Sequence, residues 1–319
     1  MKPAPPGPRI DRMGQAPSLG RMETSEQLPV SLAQALAILT AAFRQSDLDT
    51  PGLDARRLLT GVLQLADTAL LGEPERTIAP DDMAKLVAAA RRRLAHEPVS
   101  RIVSQRHFHG LAFDISPATL DPRPDTETLV EGVLALIAQG RVPGGQAPRI
   151  LDLGTGSGAI AIACLKQLPN AHAMATDQSQ AALEVAQRNA AKHGVSDRVR
   201  LKQADWFAGV DGQFDIVISN PPYIPSRDIP GLAPEVRDHD PLTALDGGES
   251  GLEAYEAIAK GLPSVLAPGG WIAVEVGAGQ HEDVAAILHR ACPGLEFKIE
   301  PWWRDLSDRP RCVAAKARD

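Results

Sequence analysis

The chain has 319 residues, of which 44% are hydrophobic and 23% charged, with a formal net charge of −7. This composition is that of a globular protein with room for two domains, and the acidic balance argues against a protein that wraps a nucleic acid backbone. No apolar run approaches the roughly 18 residues of a membrane span, the N-terminus has no apolar secretory signal, and three scattered cysteines fit a reduced, cytoplasmic setting.

The N-terminal part divides into an extension and a helical domain. Residues 1–27 carry five prolines and few large apolar groups, which predicts a disordered extension. Residues 28–98 carry apolar stripes at helical spacing, one behind Ser31 as N-cap and one behind the cap-and-proline pair Thr50-Pro51. We interpret this region as a small all-α domain for substrate recognition. Its Arg91-Arg92-Arg93 run is either a solvated helix end or a contact for an acidic partner.

A linker follows in residues 99–120. Short β-like runs between 101 and 115 flank His109-Gly110, which predicts a hairpin. The triplet Pro122-Arg123-Pro124 then interrupts regular structure, and a helix is expected over residues 126–138. For Arg123 the sequence leaves two interpretations open: it orients the substrate backbone or Glu127, or it forms a local structural pair.

From residue 121 to 319 the pattern predicts an α/β domain, because strand and helix alternate after Pro148. Such alternation gives a doubly wound, mainly parallel sheet, and ligands of these sheets bind beyond the carboxyl ends of the strands. The predicted strands are 149–153, one ending at 176–177, 199–203, 214–219, 271–276 after the turn Pro268-Gly269-Gly270, 295–299 and 311–315. The predicted helices are 159–168, one running from behind Ser179 to Gly194, and 282–292.

The loop after the first strand is rich in glycine. It reads Gly154-Thr155-Gly156-Ser157-Gly158, a GxGxG spacing that differs from the GxGxxG of dinucleotide sites and lacks the GK[ST] of a P-loop. Asp177, at the end of the second strand, can accept both hydroxyls of a ribose. The pair predicts adenosine binding without a strong phosphate requirement, which fits S-adenosylmethionine. The alternatives are an NAD-type site and, for Asp177 alone, a helix cap.

Two further strand ends carry side chains suited to planar groups. Asp205 and Trp206 follow the third strand, where a carboxylate can accept from an adenine amino group and an indole can pack on its ring. The alternative for Trp206 is a core position. Asn220-Pro221-Pro222-Tyr223 follows the fourth strand and forms a stiff turn, since each proline fixes φ and removes a donor. Such a turn suits a planar NH2 group, with acceptors in its plane and a ring against its face.

Together these motifs resemble a known family. The quoted segments, with Pro122-Arg-Pro-Asp-Thr-Glu127 and Asp240-Pro-Leu-Thr-Ala-Leu-Asp-Gly-Gly248, are similar to those of the PrmC/HemK family of peptide chain release factor glutamine methyltransferases. The resemblance covers about residues 30–315 and implies a seven-stranded class I methyltransferase sheet. It also implies S-adenosylmethionine as cofactor, bound by residues 154–158, Asp177, Asp205, Trp206 and Asn220, with no metal.

The resemblance implies methyl transfer to the side-chain nitrogen of the glutamine in a release factor's Gly-Gly-Gln motif. We expect the Asn220 Oδ1 and the Pro221 carbonyl to accept the two N–H bonds of that amide, with Pro222 and Tyr223 against it. No side-chain base is evident, since the nearest histidine in sequence is His239, interpreted as a loop residue. Trp302-Trp303 is either core or substrate-facing. The partner is expected to be a protein rather than nucleic acid or membrane, and the chain a monomer.

Three other functions stay open at this point. A sibling enzyme could methylate glutamine in a ribosomal protein, because it would share the Asn220-Pro-Pro-Tyr223 turn and the cofactor motifs. A nucleic acid adenine-N6 methyltransferase shares the turn as well, although the acidic balance and the helical N-terminal region count against it. A non-catalytic binding module is the third, and the intact glycine loop, Asp177 and Asn220 count against that.

Overall fold

The structure is a computed structural model that describes residues 19, 22, 29–66, 68–296, 302–305 and 307–318. The chain forms two compact units, one ending at Val103 and one beginning at Ser104. The predicted disordered extension lies outside the described residues except at Leu19 and Met22, which are buried in the core of the first unit. No helix within the described ranges is long and apolar enough to cross a bilayer.

The first unit is helical, as the apolar stripes predict. Ser31 caps the first helix as expected: its hydroxyl accepts from the Gln34 amide, and the Gln34 side chain accepts from the Ser31 amide at 3.1 Å. Thr50 precedes the second helix, but its hydroxyl donates to Asp54 at 2.9 Å and makes no capping bond. The helices are α1 (Leu32–Gln45), α2 (Pro51–Val62), α3 (Ala69–Gly72), α4 (Pro80–Leu94) and α5 (Val99–Val103).

The Arg91-Arg92-Arg93 run lies at the end of α4, and the environment of Arg93 differs from both sequence interpretations. Arg93 is buried, and its Nε lies 2.8 Å from the carboxylate of Asp54 on α2. Arg92 pairs instead with Glu97 at the exposed end of the helix. Arg93 is therefore a structural residue that joins two helices, because a charge placed out of water needs a partner.

The predicted hairpin opens the second unit. Strands β1 (Gln105–Phe108) and β2 (Leu111–Asp114) pair antiparallel around His109-Gly110, whose φ angles are +48° and +73°. Two successive positive φ values are the geometry of a two-residue hairpin turn. The hairpin is shorter than residues 101–115, since α5 continues to Val103.

The second unit is the predicted doubly wound sheet. Its strands are β3 (Arg149–Leu153), β4 (His172–Asp177), β5 (Val199–Gln203), β6 (Phe214–Ser219), β7 (Leu266–Glu275), β8 (Leu295–Glu296), β9 (Trp302–Arg304) and β10 (Pro310–Ala317). The strand order is β5-β4-β3-β6-β7-β10-β8, with β9 pairing with β10, and β3 to β7 run parallel while β10 runs antiparallel.

Helices cover both faces of this sheet. Residues of α6, α7 and α8 contribute to the apolar core on one face, and residues of α11 and α12 to the core on the other. The order reverses at β3, which lies between β4 and β6, so the loops after these three strands meet at one edge. The helices are α6 (Glu127–Ala138), α7 (Ala159–Gln167), α8 (Gln180–Lys192), α9 (Pro234–Arg237), α10 (Leu242–Leu245), α11 (Glu253–Gly261) and α12 (His281–Ala291).

Two predictions near the C-terminus concern β7 and β8. The turn predicted at Pro268-Gly269-Gly270 lies within β7, which starts at Leu266 and pairs with β6 through a register shift that leaves residues 267–270 without a partner on β6. Gly269 has a φ of +67°, and a Cβ at Gly270 would lie 2.8 Å from the Ala267 carbonyl oxygen, so the two glycines let the backbone turn tightly inside the strand. Of the strand predicted at 295–299, Leu295–Glu296 is observed and the rest lies outside the described residues.

Candidate active site

A cavity opens at the carboxyl ends of β3, β4, β5 and β6. Nine of the predicted site residues line it, namely Gly154, Thr155, Gly156, Ser157, Asp177, Asp205, Trp206, Asn220 and Pro222. The predicted residues Gly158, Pro221 and Tyr223 are not among the lining residues: Gly158 is the N-cap residue that precedes α7, Pro221 is buried, and Tyr223 packs on the sheet core. The strand-end loops thus converge as the topology requires.

The glycine loop uses its three glycines for two purposes. Gly154, Gly156 and Gly158 have φ of +69°, +56° and +80°, which side-chain-bearing residues rarely adopt. A Cβ at Gly158 would lie 2.9 Å from the Ile162 side chain, so this glycine lets α7 pack. A Cβ at Gly154 or Gly156 would meet nothing within 4 Å, so these two keep the backbone bare at the cavity wall.

Asp177 connects the glycine loop to the next strand. Its carboxylate accepts from the Gly156 amide at 2.8 Å and from the Ser179 amide at 2.9 Å. The cap of α8 is Ser179 itself, whose hydroxyl accepts from Ala182, so Asp177 supports the helix start without being its cap. Each carboxylate oxygen has a further lone pair for a ligand. Burial raises the pKa of this carboxyl above its usual value.

Asp152 lies beneath the same loop, and sequence reasoning gave it no role. It is fully buried, and its Oδ2 accepts from the Thr155 hydroxyl at 2.6 Å and the Ala161 amide at 3.3 Å. Its Oδ1 has no hydrogen-bond partner within the described part of the chain. Burial raises the pKa of Asp152 to about 7. Its position two residues before the glycine loop was the available signal.

Trp206 lies between the cavity and the core. The indole lines the cavity and also packs, half-buried, against the core beneath the sheet. Its backbone φ is +49°, an unusual value for a bulky residue, and such strain concentrates at functional sites. Its neighbour Asp205 is exposed at the cavity wall, where its carboxylate is accessible to a ligand.

The turn after β6 is held from both ends. The Ser219 hydroxyl donates to the Leu153 carbonyl at 2.8 Å, and the Asn220 Nδ2 donates to the Thr126 hydroxyl at 3.1 Å. At the far end the Tyr223 carbonyl accepts from Gln280 Nε2 at 3.0 Å. Burial raises the pKa of Tyr223 to about 12, so its phenol stays neutral at physiological pH.

The segment from Asp240 to Gly248 packs along this turn. Ile224 donates to the Leu245 carbonyl at 3.1 Å and accepts from the Gly247 amide at 2.9 Å. A Cβ at Gly247 would lie 2.8 Å from both the Pro222 oxygen and the Tyr223 Cα. Only glycine therefore allows this approach, a requirement that sequence reasoning missed although it quoted the segment.

Arg123 has a partner that its sequence neighbourhood did not reveal. It lines the cavity, and its Nη2 lies 2.5 Å from the carboxylate of Asp240, 117 residues away. Its pairing with Glu127 is not observed, since Glu127 accepts instead from the His109 amide at 2.8 Å. His239 precedes Asp240 in a loop and is not among the lining residues.

The lining residues fit S-adenosylmethionine. The spare lone pairs of Asp177 match the two ribose hydroxyls, and the bare backbone at Gly154 and Gly156 admits a ligand that carries no phosphate. Trp206 offers a flat face and Asp205 an acceptor for a purine amino group. The fit depends on the donor and acceptor chemistry of these side chains, and Asn220 lines the same cavity.

Comparison with known proteins agrees with this geometry. The family model "Methyltransferase small domain" matches residues 132–230, and "PrmC N-terminal domain" matches residues 34–103. The chain is 43% identical to a release factor glutamine methyltransferase of Bradyrhizobium diazoefficiens, over 90% of this chain and 95% of that one. It is 44% identical to that of Rhodospirillum rubrum, over 85% of this chain and 80% of the relative.

A solved structure shares the fold at low identity. The hMettl16 catalytic domain, in complex with a hairpin of the MAT2A 3′UTR, aligns with a TM-score of 0.50 and 15% identity, over 77% of this chain and 84% of that chain. At this identity the likeness shows the class I methyltransferase architecture alone.

Proposed function

The chain belongs to the release factor glutamine methyltransferase family, and from this premise we propose that it methylates the N5 amide nitrogen of the glutamine in the Gly-Gly-Gln motif of peptide chain release factors. The observation that carries the proposal is the placement of Asn220 on the wall of the same cavity as Asp177 and Trp206. A planar amide and a methyl donor can then meet in one site. The first unit, which matches the PrmC N-terminal domain, supplies recognition of the protein substrate.

The proposed cofactor is S-adenosylmethionine, whose sulfonium supplies an electrophilic methyl group when bound. Asp177 holds the ribose, while Asp205 and Trp206 hold the adenine. These side chains fix the position of the donor, and the residues of the turn after β6 fix the acceptor. Since an amide nitrogen is a poor nucleophile, the contribution of the protein is mainly alignment and exclusion of water.

Asn220 and Pro221 orient the substrate amide. The Asn220 Oδ1 and the Pro221 carbonyl accept its two N–H bonds, so the nitrogen lone pair points toward the methyl group. As the nitrogen becomes cationic, both hydrogen bonds become charge-assisted and strengthen. Pro222 and Tyr223 form the stiff turn that keeps these acceptors in place, with the Tyr223 ring proposed to pack on the amide plane.

The proposed partner is a release factor in the cytoplasm, bound by a monomeric enzyme. The test incubates the full chain with methyl-labelled S-adenosylmethionine and, in separate reactions, a release factor, its Gly-Gly-Gln variant with Gln changed to Ala, ribosomal protein and DNA. We expect label on the unaltered release factor alone. Label confined to ribosomal protein or DNA, or unchanged label on the Gln-to-Ala variant, would overturn the proposal.

A further inference from the structure

A short chain of hydrogen bonds runs from Asn220 into the interior. Asn220 Nδ2 donates to the Thr126 hydroxyl at 3.1 Å. The Thr126 side chain lies close enough to the carboxylate of Glu275, at the end of β7, for hydrogen bonding to lower the pKa of that carboxyl. Thr126 is 4% exposed and Glu275 is 1% exposed. The Asn220 side chain is therefore held by a buried polar pair contributed by two other segments of the second unit.

The donor and acceptor chemistry fixes which group donates in each hydrogen bond between Asn220, Thr126 and Glu275. An ionised carboxylate can only accept, so Thr126 must donate its one hydroxyl proton to Glu275. The Thr126 hydroxyl then offers only its lone pairs to Asn220. Only the Nδ2 end of the Asn220 amide can donate a hydrogen bond to them. The Oδ1 end of the same amide keeps its two lone pairs for the substrate.

A negatively charged acceptor is energetically costly in the buried surroundings of Glu275, so its presence there indicates a function. Its Oε2 has no hydrogen-bond partner among the described residues, and burial raises its pKa to about 7. Positive charge reaches it from Arg311 on β10, which also pairs with Asp125 at 2.6 Å, and from Arg123. Negative charge reaches it from Asp125, and the neutral Tyr223 phenol lies nearby.

We propose that Glu275, acting through Thr126, is a positioning residue that fixes the amide of Asn220 with Oδ1 toward the substrate glutamine. The inference deepens the proposed function and rests on it. Thr126 touches both partners, whereas Glu275 touches neither substrate nor cofactor in this scheme. Its effect is on the orientation of the group that does.

A pH dependence follows from this direction. A protonated Glu275 can donate to Thr126, and the Thr126 proton is then free to point at Asn220, which permits the flipped amide with Nδ2 in the cavity. A flipped amide offers the substrate N–H groups a donor instead of an acceptor. The maximal rate should therefore fall as the pH is lowered through about 7, the pKa of Glu275.

The experiment compares isosteric variants of the full chain with a release factor as substrate. Glu275→Gln replaces a carboxylate that can only accept by an amide that can also donate to Thr126, Thr126→Val removes the hydroxyl, and Thr126→Ser retains it. We expect kcat to fall about 10- to 100-fold in the first two and to return to within about threefold in the third. Affinity for S-adenosylhomocysteine should stay within about threefold throughout, and the acid limb of the kcat profile should disappear in Glu275→Gln.

Tyr255→Phe is the matched control, because the Tyr255 hydroxyl donates to the backbone carbonyl of Glu275 at 2.9 Å and not to its carboxylate. It should keep kcat and the pH profile. An active wild type together with Glu275→Gln at near-normal kcat and an unchanged acid limb would overturn the inference. A wild type that labels no release factor would instead overturn the proposed function. If Glu275→Gln fails to fold, the kcat values of Thr126→Val and Thr126→Ser are compared instead. A Thr126→Val variant with near-normal kcat would then overturn the inference.

Discussion

The backbone amide of Gly156 donates to the carboxylate of Asp177 over 2.8 Å, so the loop after β3 and the acid after β4 form one hydrogen-bonded unit. The two features therefore depend on each other. Loss of the carboxylate removes ligand contacts and also releases the loop that forms the cavity wall. Cofactor affinity should respond to Asp177 more strongly than ribose contacts alone would require.

Replacement of Asp177 by Ala should weaken binding of S-adenosylhomocysteine by about 10²-fold or more. The reason is the loss of charge-assisted hydrogen bonds, each worth roughly 1.5–3 kcal/mol. Calorimetric titration measures the effect directly. The exposed carboxylate of Asp197 provides the control, since Asp197→Ala should leave the affinity unchanged. Equal affinities for the Asp177 variant and wild type would exclude a role for this carboxylate in cofactor binding.

Replacement of Asn220 by Ala should lower kcat on the order of 10²-fold or more, by analogy with the loss of one donor from an oxyanion site. Binding of S-adenosylhomocysteine should be largely spared, because the proposed role of the Asn220 amide concerns the substrate nitrogen. Single-turnover methylation and calorimetry separate the two quantities. A variant that keeps near-normal turnover would show that the substrate amide is held by other groups.

Gly247→Ala should displace the turn after β6. The new Cβ would lie 2.8 Å from the Pro222 oxygen and the Tyr223 Cα, so the backbone that carries the acceptors has to shift. A misplacement of about 1 Å can cost 10²-fold in rate, and we expect kcat to fall by about 10-fold or more. Gly231→Ala is the control, since a Cβ there meets nothing within 4 Å. Similar activity in both variants would contradict this account.

Asp152 should make stability depend on pH. Its pKa in the folded protein is about 7, against about 3.9 for an exposed carboxyl, so between these values the folded state binds a proton that the unfolded state releases. Stability from this group is present below about pH 4 and is lost as the pH rises to about 7.

The variant Asp152→Asn isolates that contribution, because Asn does not titrate and still offers an oxygen to Thr155. The free energy of unfolding of the variant minus that of wild type should increase with pH across this window, by at most about 1.4 kcal/mol per unit. Denaturant titrations at several pH values measure it. A difference that stays constant from pH 4 to 8 would show that Asp152 ionises normally.

Arg93→Ala should destabilise the first unit by about 3–5 kcal/mol, since it leaves the Asp54 carboxylate buried without its partner. Denaturant unfolding followed by circular dichroism measures the loss. Arg91 lies two residues earlier on the exposed side of α4, and Arg91→Ala should stay within about 0.5 kcal/mol of wild type. A loss below about 1 kcal/mol in the Arg93 variant would argue against the buried pair as a stabilising contact.

Periodicity predicted most of the second unit, because alternating apolar strands and capped helices are local signals. The strands Arg149–Leu153, Val199–Gln203 and Phe214–Ser219 were predicted to the residue, and the loops after them meet as the topology requires. The pairing of Arg123 with Asp240 could not be predicted, since it joins segments 117 residues apart. The burial of Arg93 is likewise a tertiary effect that overrides the usual exposure of an arginine-rich helix end.

Residues at the ends of strands could be predicted to line the cavity, and buried residues that contact the loops from below could not. Asn220 and Asp177 stand at strand ends, where sequence alone indicates a ligand. Asp152 and Glu275 lie in strands whose sequences are mainly apolar. Their importance comes from their burial and from the threonine side chain beside each carboxylate. Gly247 matters only because another backbone passes beside it.

The contacts around Tyr223 limit how the turn could be reused. A Cβ at Gly247 would lie 2.8 Å from the Tyr223 Cα, one at Gly251 would lie 2.5 Å from its carbonyl oxygen, and one at Gly277 would lie 3.0 Å from its ring. Two loops, one with Gly247 and Gly251 and one with Gly277, thus lack side chains at the positions beside Tyr223. A graft of Asn220-Pro-Pro-Tyr223 onto another scaffold must therefore include these three glycines as well, because the turn keeps its shape only where the neighbouring positions carry no side chain.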